Sequence, residues 1–132
     1  MATNAEFVRS AYTVLTDRAF LEWVERALPP EFEWHPFEEL PDSRVRRGPE
    51  EIKRFFAEAL ADWPDWRPEP KDVHEVGEDQ VVVTAFGHTT SRHGVEGTIH
   101  FTQVWEFDDG RPLRVREFLD HTKALEVVRQ AE

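Results

Sequence analysis

A glutamate near the end of the chain lies on a predicted strand face that is otherwise apolar. Side chains alternate between the two faces of a strand. In the predicted strand over 112–119, the charged positions Arg114 and Arg116 mark the outer face, so the inner face holds Val115, Glu117 and Leu119. Burying an uncompensated carboxylate is costly, so Glu117 must find hydrogen-bond donors, take a raised pKa or border a wet pocket. A pocket satisfies all three conditions.

The two preceding strands supply further polar candidates. In the predicted strand over 97–107, one face carries a single amide among aromatic rings: Phe101, Gln103, Trp105 and Phe107. In the strand over 80–91, both alternating sets are apolar, so alternation alone does not choose between them. We assign the set that contains Phe86 and His88 to the inner face.

A structural interpretation of the same residues stays open. Glu117 then pairs with an arginine at the edge of the domain, and Gln103 bonds a neighbouring backbone group. A lone histidine such as His88 is more often structural than catalytic.

Six histidines raise the question of a metal site: His35, His74, His88, His93, His100 and His121. No two of them have the i, i+4 spacing of a helical zinc site. His88 and His100 approach each other only across a hairpin, and His100 has the opposite alternation to Gln103. We therefore predict no metal, and the chemistry considered below needs no cofactor.

The composition is that of an ordinary globular protein. A chain of 132 residues with 39% hydrophobic residues predicts one domain over 1–132. The net charge of −11 argues against a nucleic-acid-binding surface, and the absence of cysteine excludes thiolate chemistry. No N-terminal signal pattern is present, and the apolar runs are far shorter than the roughly 20 residues that span a bilayer. We expect a cytoplasmic protein without a membrane segment.

Three helices are predicted in the first half of the chain. Residues 3–6 fit a capping box, and apolar spacing extends the first helix over about 4–16. Asp17 is predicted to cap a second helix, which buries Phe20, Leu21, Val24 and Leu28 and ends at a proline pair. Pro49 begins a third helix, and Pro64 ends it. The third helix carries one apolar stripe: Ile52, Phe55, Phe56, Ala59, Leu60 and Trp63.

The second half of the chain predicts an antiparallel sheet. After a short extended segment at 32–36, strands are expected at about 73–76, 80–91, 97–107 and 112–119, with hairpin turns at 92–97 and 108–110. Asp120 then caps a short terminal helix. Helices followed by a sheet predict an α+β domain in which the helices cover one face of the sheet.

The order of these elements and four short motifs resemble the SnoaL-like branch of the NTF2-like superfamily. The motifs are FEWHP at 32–36, RGPEEI at 47–52, VWEFDDG at 104–110 and REFLD at 116–120. The resemblance implies a cone, in which a strongly curved sheet wraps around helices and the open end admits a flat hydrophobic ligand. It implies that the inner-face residues line this pocket: Tyr12, Trp34, Phe55, Phe56, Phe86, His88, Phe101, Trp105, Val115 and Leu119.

The resemblance to ketosteroid isomerase-like proteins also implies catalytic roles. His35 aligns with their aspartate general base, and Gln103 aligns with the protonated aspartate that stabilises their oxyanion. Glu117 and His88 fall on the inner wall. The tyrosine of the isomerase oxyanion hole aligns with Ala11, one residue before Tyr12, so the match is incomplete there.

These residues support an enolate mechanism. A neutral imidazole, with a reference pKa of about 6.5, is suited to removing a proton next to a carbonyl. Gln103 then donates its amide N–H to the enolate oxygen, and Glu117 orients the imidazole. The expected activity is cyclisation or isomerisation of an apolar or aromatic carbonyl compound. The alternatives are a ligand-binding module without catalysis and a dimeric assembly module.

The outer face of the sheet predicts a partner. It is expected to carry Thr102, Val104, Arg114, Arg116 and Phe118, joined by Val81, Val83 and Ala85. In relatives of this fold that face commonly forms a homodimer. Because an apolar face favours a partner over water, we expect a homodimer here.

Overall fold

The elements follow the predicted order of helices and then a sheet. The computed structural model describes residues 3–14, 19–41, 43–63, 65–90, 94 and 96–131. Its elements are α1 (Asn4–Val14), α2 (Ala19–Ala27), β1 (Glu33–His35), β2 (Arg46–Arg47), α3 (Gly48–Asp62), β3 (Arg67–Val76), β4 (Gln80–Thr90), β5 (Glu96–Asp108), β6 (Arg111–Phe118) and α4 (His121–Ala131).

One mixed sheet joins these strands in the order β2-β1-β6-β5-β4-β3. The strands β3 to β6 are antiparallel neighbours, whereas β1 runs parallel to β6. The pairing register shifts at two places, where β3 has an extra residue, Lys71, opposite β4 and β6 has an extra residue, Leu113, opposite β5. Such extra residues increase the local bend of a strand. The α+β class and the curved sheet are confirmed.

The main core lies between the inner face of the sheet and the first three helices. The helices contribute Val8, Ala11, Phe20, Trp23, Val24 and Ile52, and the sheet contributes Trp34, Val81, Val83, Ala85, Phe101, Trp105 and Val115. The inner set of β4 is therefore Val81, Val83 and Ala85. We had assigned these three residues to the outer face, and that assignment is wrong.

The fourth helix packs on the opposite face of the sheet. Ala124 and Val128 of α4 form a second core with Val82, Val104 and Phe118. The prediction that the helices cover only one face is therefore wrong. Val104 and Phe118 are not available as an exposed apolar face, because only 0% and 1% of their surfaces are accessible.

Side chains cap the N-termini of two helices, α1 and α4. The Glu6 N–H donates to the hydroxyl of Thr3 at 3.1 Å, and the Thr122 N–H donates to the carboxylate of Asp120 at 2.9 Å. The structure thus confirms Thr3 and Asp120 as caps. The predicted cap at Asp17, the helix end at Pro64 and half of the 92–97 turn lie outside the described residues.

The strand predictions were accurate except at the edges of the sheet. β3 begins at Arg67 rather than near 73, and it contains Pro68 and Pro70. These prolines are tolerated because β3 is an edge strand, where a missing N–H donor costs little. β2, which was not predicted, pairs with β1. No helix in the described part of the chain is long and apolar enough to cross a membrane.

Candidate functional site

A cavity of about 270 Å³ lies between α3 and the inner face of the sheet. Its mouth is marked by three exposed apolar residues, Leu40, Trp63 and Ile99, whose surfaces are 48%, 46% and 40% accessible. Two polar residues at its wall, Gln103 and Glu117, are only 2% and 8% accessible. The cavity is therefore open at an apolar rim and closed at a polar end.

The apolar stripe of α3 forms one wall of the cavity. Ile52 is fully buried, whereas Phe55 and Phe56 are half-buried and line the cavity with Ala59 and Leu60. The stripe is incompletely covered because it faces this open space. Phe56 packs at nearly right angles against Phe20 and Trp34, with ring centroids 4.7 and 4.8 Å apart, which fixes the wall.

Five side chains form a continuous hydrogen-bonded group at the closed end, which we call the polar chain: Tyr12, Trp34, Gln103, Trp105 and Glu117. The Tyr12 hydroxyl and the Trp105 indole N–H both donate to Oε1 of Gln103, at 2.6 and 3.0 Å. The Gln103 amide N–H donates to Oε2 of Glu117 at 2.8 Å. The Trp34 indole N–H donates to Oε1 of Glu117 at 3.1 Å. Each contact is a buried hydrogen bond, so the geometry of the chain is fixed.

Sheet register explains how the polar chain assembles. Gln103 of β5 lies opposite Glu117 of β6 in the ladder, so their side chains share the inner face. Trp34 of β1 lies beside Val115 of β6 in the parallel pair, which places its indole near Glu117. Helix α1 brings Tyr12 against the same face.

Burial raises the pKa of Glu117 to about 6, and the hydrogen bonds from Gln103 and Trp34 oppose this shift by stabilising the carboxylate. Burial also raises the pKa of Tyr12 well above its ordinary value, and the nearby charge of Glu117 adds to this effect. Tyr12 therefore stays a neutral donor, and Glu117 is the group that changes protonation near neutral pH.

Several predicted site residues meet at this cavity. Its wall contains Trp34, Phe55, Phe56, Phe101, Gln103 and Glu117. Tyr12, Trp105 and Val115 are buried behind the wall, with Tyr12 and Trp105 in the polar chain and Val115 in the main core.

His35 lies away from the cavity. It neighbours Trp34 on β1, and alternation turns it to the opposite face. Its Nε2 lies 2.9 Å from Oε1 of Glu33, which also pairs with Arg47. The prediction that His35 shares a pocket with Gln103 and Glu117 is therefore wrong.

The predictions for Phe86, His88 and Leu119 are also wrong. Gly87 and Thr89 of β4 face inward, so Phe86 and His88 face outward. His88 lies 3.4 Å from Glu69 and 3.3 Å from the Thr98 hydroxyl. Phe86 and Leu119 border a separate surface depression on the outer side.

Sequence reasoning missed part of the cavity wall: Phe37, Leu40, Trp66, Pro68, Thr89 and Ile99. One feature of the sequence, the glycine at position 87 inside a predicted strand, indicated that a bulky group such as Trp66 packs there. A side chain at Gly87 would begin 1.8 Å from the Trp66 ring, so the bare glycine makes room for this indole. An isolated glycine inside a strand often marks such a close approach.

The site offers little for a metal ion. The described residues contain no group of three or more His, Cys, Asp or Glu side chains suited to holding one. The cavity wall combines aromatic rings with one carboxylate, one amide and one hydroxyl, that of Thr89, a set suited to an organic molecule.

Helices packed against the inner face of a curved sheet, with a cavity between them, define an α+β cone. The SnoaL-like domain model matches residues 8–115, and the chain belongs to this family. No curated protein matches the chain significantly.

Solved structures agree with this assignment. An NTF2-like protein of unknown function from Burkholderia pseudomallei is 25% identical, with a TM-score of 0.76 over 96% of this chain and 97% of that one. TerC, co-crystallised with polyporic acid, is also 25% identical, with a TM-score of 0.76 over 97% and 99%. A putative SnoaL-like polyketide cyclase from Jannaschia shares the fold at 18% identity, with a TM-score of 0.75 over 92% and 88%.

Proposed function

We propose that the cavity binds a flat apolar or aromatic carbonyl compound and that Glu117 exchanges a proton with it. The reaction would be a cofactor-independent isomerisation or cyclisation through an enolate. One observation carries the proposal: a carboxylate with a pKa near 6 lies at the closed end of an aromatic cavity. A general base works best when its pKa lies near the operating pH.

The base in this proposal is Glu117 rather than His35. The Glu117 carboxylate takes a proton from the carbon next to the carbonyl, and the C–H electron pair moves toward the carbonyl oxygen to give an enolate. In an isomerisation, Glu117 returns the proton to another carbon. In a cyclisation, the enolate carbon bonds to a second carbonyl carbon and the resulting alkoxide takes the proton.

Gln103 and the aromatic wall support this chemistry. An amide nitrogen carries two N–H donors, and Gln103 gives one of them to Glu117. The other serves as the donor that stabilises the enolate oxygen. Trp34, Phe55, Phe56 and Phe101 exclude water from the reacting atoms and stack against a flat substrate.

The family membership supports a pocket function without naming a substrate. TerC, a relative of nearly equal length, has been co-crystallised with polyporic acid. The Jannaschia relative, described as a putative polyketide cyclase, is too distant to support more than the fold.

A second candidate function is ligand binding without catalysis. Both oxygens of Glu117 already accept hydrogen bonds from protein donors, as they do in structural carboxylates. The same cavity then holds a ligand whose bonds do not change.

A cytoplasmic location and a homodimer stay predictions. Any dimer that uses the predicted outer face of the sheet would use a face that α4 partly covers.

Deuterium exchange distinguishes the two functions without knowledge of the natural substrate. We expect the protein to speed deuterium uptake from D₂O at the α-carbon of 2-tetralone, measured by proton NMR. Glu117→Gln should lower this rate by about 100-fold or more, the usual contribution of a general base. His35→Ala is the matched control and should leave the rate unchanged.

The outcomes of the exchange experiment distinguish catalysis from ligand binding and test the assignment of the base. If 2-tetralone binds and its exchange is not accelerated, the catalytic proposal fails and ligand binding remains. If His35→Ala abolishes exchange and Glu117→Gln does not, the assignment of the base is wrong. Circular dichroism of each variant checks that it is folded.

A further inference from the structure

The two tryptophans of the polar chain determine which groups in it donate hydrogen bonds and which accept them. An indole N–H only donates, so the Gln103 atom that faces Trp105 at 3.0 Å must be the amide oxygen. The Tyr12 hydroxyl donates to the same oxygen at 2.6 Å. The amide nitrogen of Gln103 therefore points at Glu117, and the opposite orientation would place a donor against a donor.

Both oxygens of Glu117 consequently face donors from the protein. Oε2 accepts from Gln103, and Oε1 accepts from the indole of Trp34. A proton placed on either of these contacts would meet another hydrogen. Proton exchange and ligand hydrogen bonds are therefore confined to the remaining lone pairs of Glu117, on a side chain that lines the cavity.

The cavity wall adds no cationic donor. None of its described lining residues is Lys, Arg or His. The hydroxyl of Thr89 already donates to the carboxylate of Asp65 at 3.1 Å. The C-terminal turn of α3, whose dipole end is negative, contributes Ala59 and Leu60 to the wall. Gln103 also lines the cavity, and its second N–H is a neutral donor. These features disfavour an anionic ligand and favour a neutral hydroxyl, which donates to Glu117 while its oxygen accepts from Gln103.

We infer that the polar chain places a hydrogen-bond acceptor, Glu117, at the closed end of the cavity, and that this acceptor selects flat aromatic ligands bearing a phenol or enol hydroxyl. The hydroxyl donates to Glu117, and the ring lies among the aromatic side chains of the wall. Ligands of the same shape with an ether, a bare ring edge or a carboxylate at this position bind less well. The inference rests on the proposed function only in placing the ligand in this cavity.

A set of three naphthalenes tests this preference. Binding of 2-naphthol, 2-methoxynaphthalene and naphthalene is measured by equilibrium dialysis, at a pH where Glu117 is ionised and 2-naphthol is neutral. A hydrogen bond to a charged acceptor strengthens binding by about tenfold or more. We expect 2-naphthol to bind at least about tenfold more tightly than both other compounds. Because naphthalene is smaller and 2-methoxynaphthalene larger, size does not produce this order.

The variant Glu117→Gln locates the acceptor. A neutral amide is a weaker acceptor than a carboxylate, so the preference for 2-naphthol should fall to about threefold or less. An unchanged preference in the variant would overturn the inference, because the hydroxyl would then bind elsewhere. If the variant does not fold, carbon-13 NMR of the wild-type protein replaces it. 2-Naphthol should then shift the Glu117 carboxyl signal and naphthalene should not, and equal shifts would overturn the inference.

The remaining outcomes separate this inference from the proposed function. Equal binding of all three compounds would overturn the acceptor preference and leave a ligand-binding cavity. Binding of none of them would overturn both the preference and the cavity as a site for flat aromatic ligands.

Discussion

Two glutamates on neighbouring strands lie in opposite electrostatic surroundings. On the outer face of β1, the carboxylate of Glu33 contacts His35 and Arg47, and these hydrogen bonds hold its pKa below the ordinary value. On the inner face of β6, Glu117 has only neutral donors around it, and burial raises its pKa to about 6. The outer face thus lowers the pKa of a glutamate, whereas the inner face raises it.

Two more glutamates lie beside outward-facing arginines. Glu106 lies 3.2 Å from Arg114, close but not aligned for a hydrogen bond, and Glu38 lies 2.9 Å from Arg116. Partly exposed pairs of this kind contribute little to stability. A carboxylate held only by dipoles gains and loses its proton near neutral pH. The raised pKa of Glu117 therefore supports the proposal that proton exchange takes place on the inner face.

The largest expected effect comes from breaking the polar chain at its centre. Gln103→Leu leaves the Tyr12 hydroxyl and the Trp105 N–H without their acceptor and removes one donor from Glu117. Each unsatisfied buried group costs about 1–3 kcal/mol, so we expect a loss of at least about 3 kcal/mol in the free energy of unfolding. Urea denaturation measures it.

Thr102→Val is the matched control for that experiment. Thr102 is the buried neighbour of Gln103 on β5, faces the other side of the sheet and makes one hydrogen bond, to His121. Its loss should cost about 1 kcal/mol. Equal losses in the free energy of unfolding for the two variants would mean that the polar chain contributes no more to stability than the single hydrogen bond of Thr102.

A smaller effect is expected in the pH dependence of stability. The folded pKa of Glu117, about 6, lies above the ordinary value of 4.5, so the folded protein binds this proton more tightly than the unfolded chain does. The contribution of Glu117 to stability is therefore greatest at low pH and is lost as pH rises from about 4.5 to about 6. The total change is about 2 kcal/mol.

Glu117→Gln isolates this contribution from those of the other carboxylates. The difference in unfolding free energy between variant and wild type, measured by urea denaturation, should shift by about 2 kcal/mol between about pH 4 and pH 7 in favour of the variant. A difference that stays constant across this range would contradict the role of burial.

The smallest expected effect is on the outer face. His35→Ala removes one partly exposed hydrogen-bond partner of Glu33. We expect a stability loss below about 1 kcal/mol and no change in the affinity for 2-naphthol. Weakened ligand binding in this variant would show that the outer face is coupled to the cavity.

Alternation along a strand predicted the inner-face residues where one face is clearly charged. Arg114 and Arg116 mark the outer face of β6, which identified Glu117, and the aromatic set of β5 identified Gln103. The hydrogen bonds that join them to Tyr12 and the two indoles depend on strand register and helix packing. Neither is encoded in a local pattern.

The failures have equally specific causes. β4 is covered on both faces, by the main core at Val81 and Val83 and by the second core at Val82, so neither alternating set is marked by charge. Phe86 and His88 were misplaced for this reason. His35 was placed by resemblance, although Trp34 lies between it and Glu33 and alternation indicates that the two polar residues share the opposite face.

The most direct test of the account is the pKa of Glu117, measured by carbon-13 NMR titration of its side-chain carboxyl and assigned with Glu117→Gln. We predict a midpoint of about 6, because this carboxylate is buried among neutral donors without a cationic partner. A midpoint at or below the ordinary value of 4.5 would show that Glu117 is a structural carboxylate, and it would contradict its role in proton exchange.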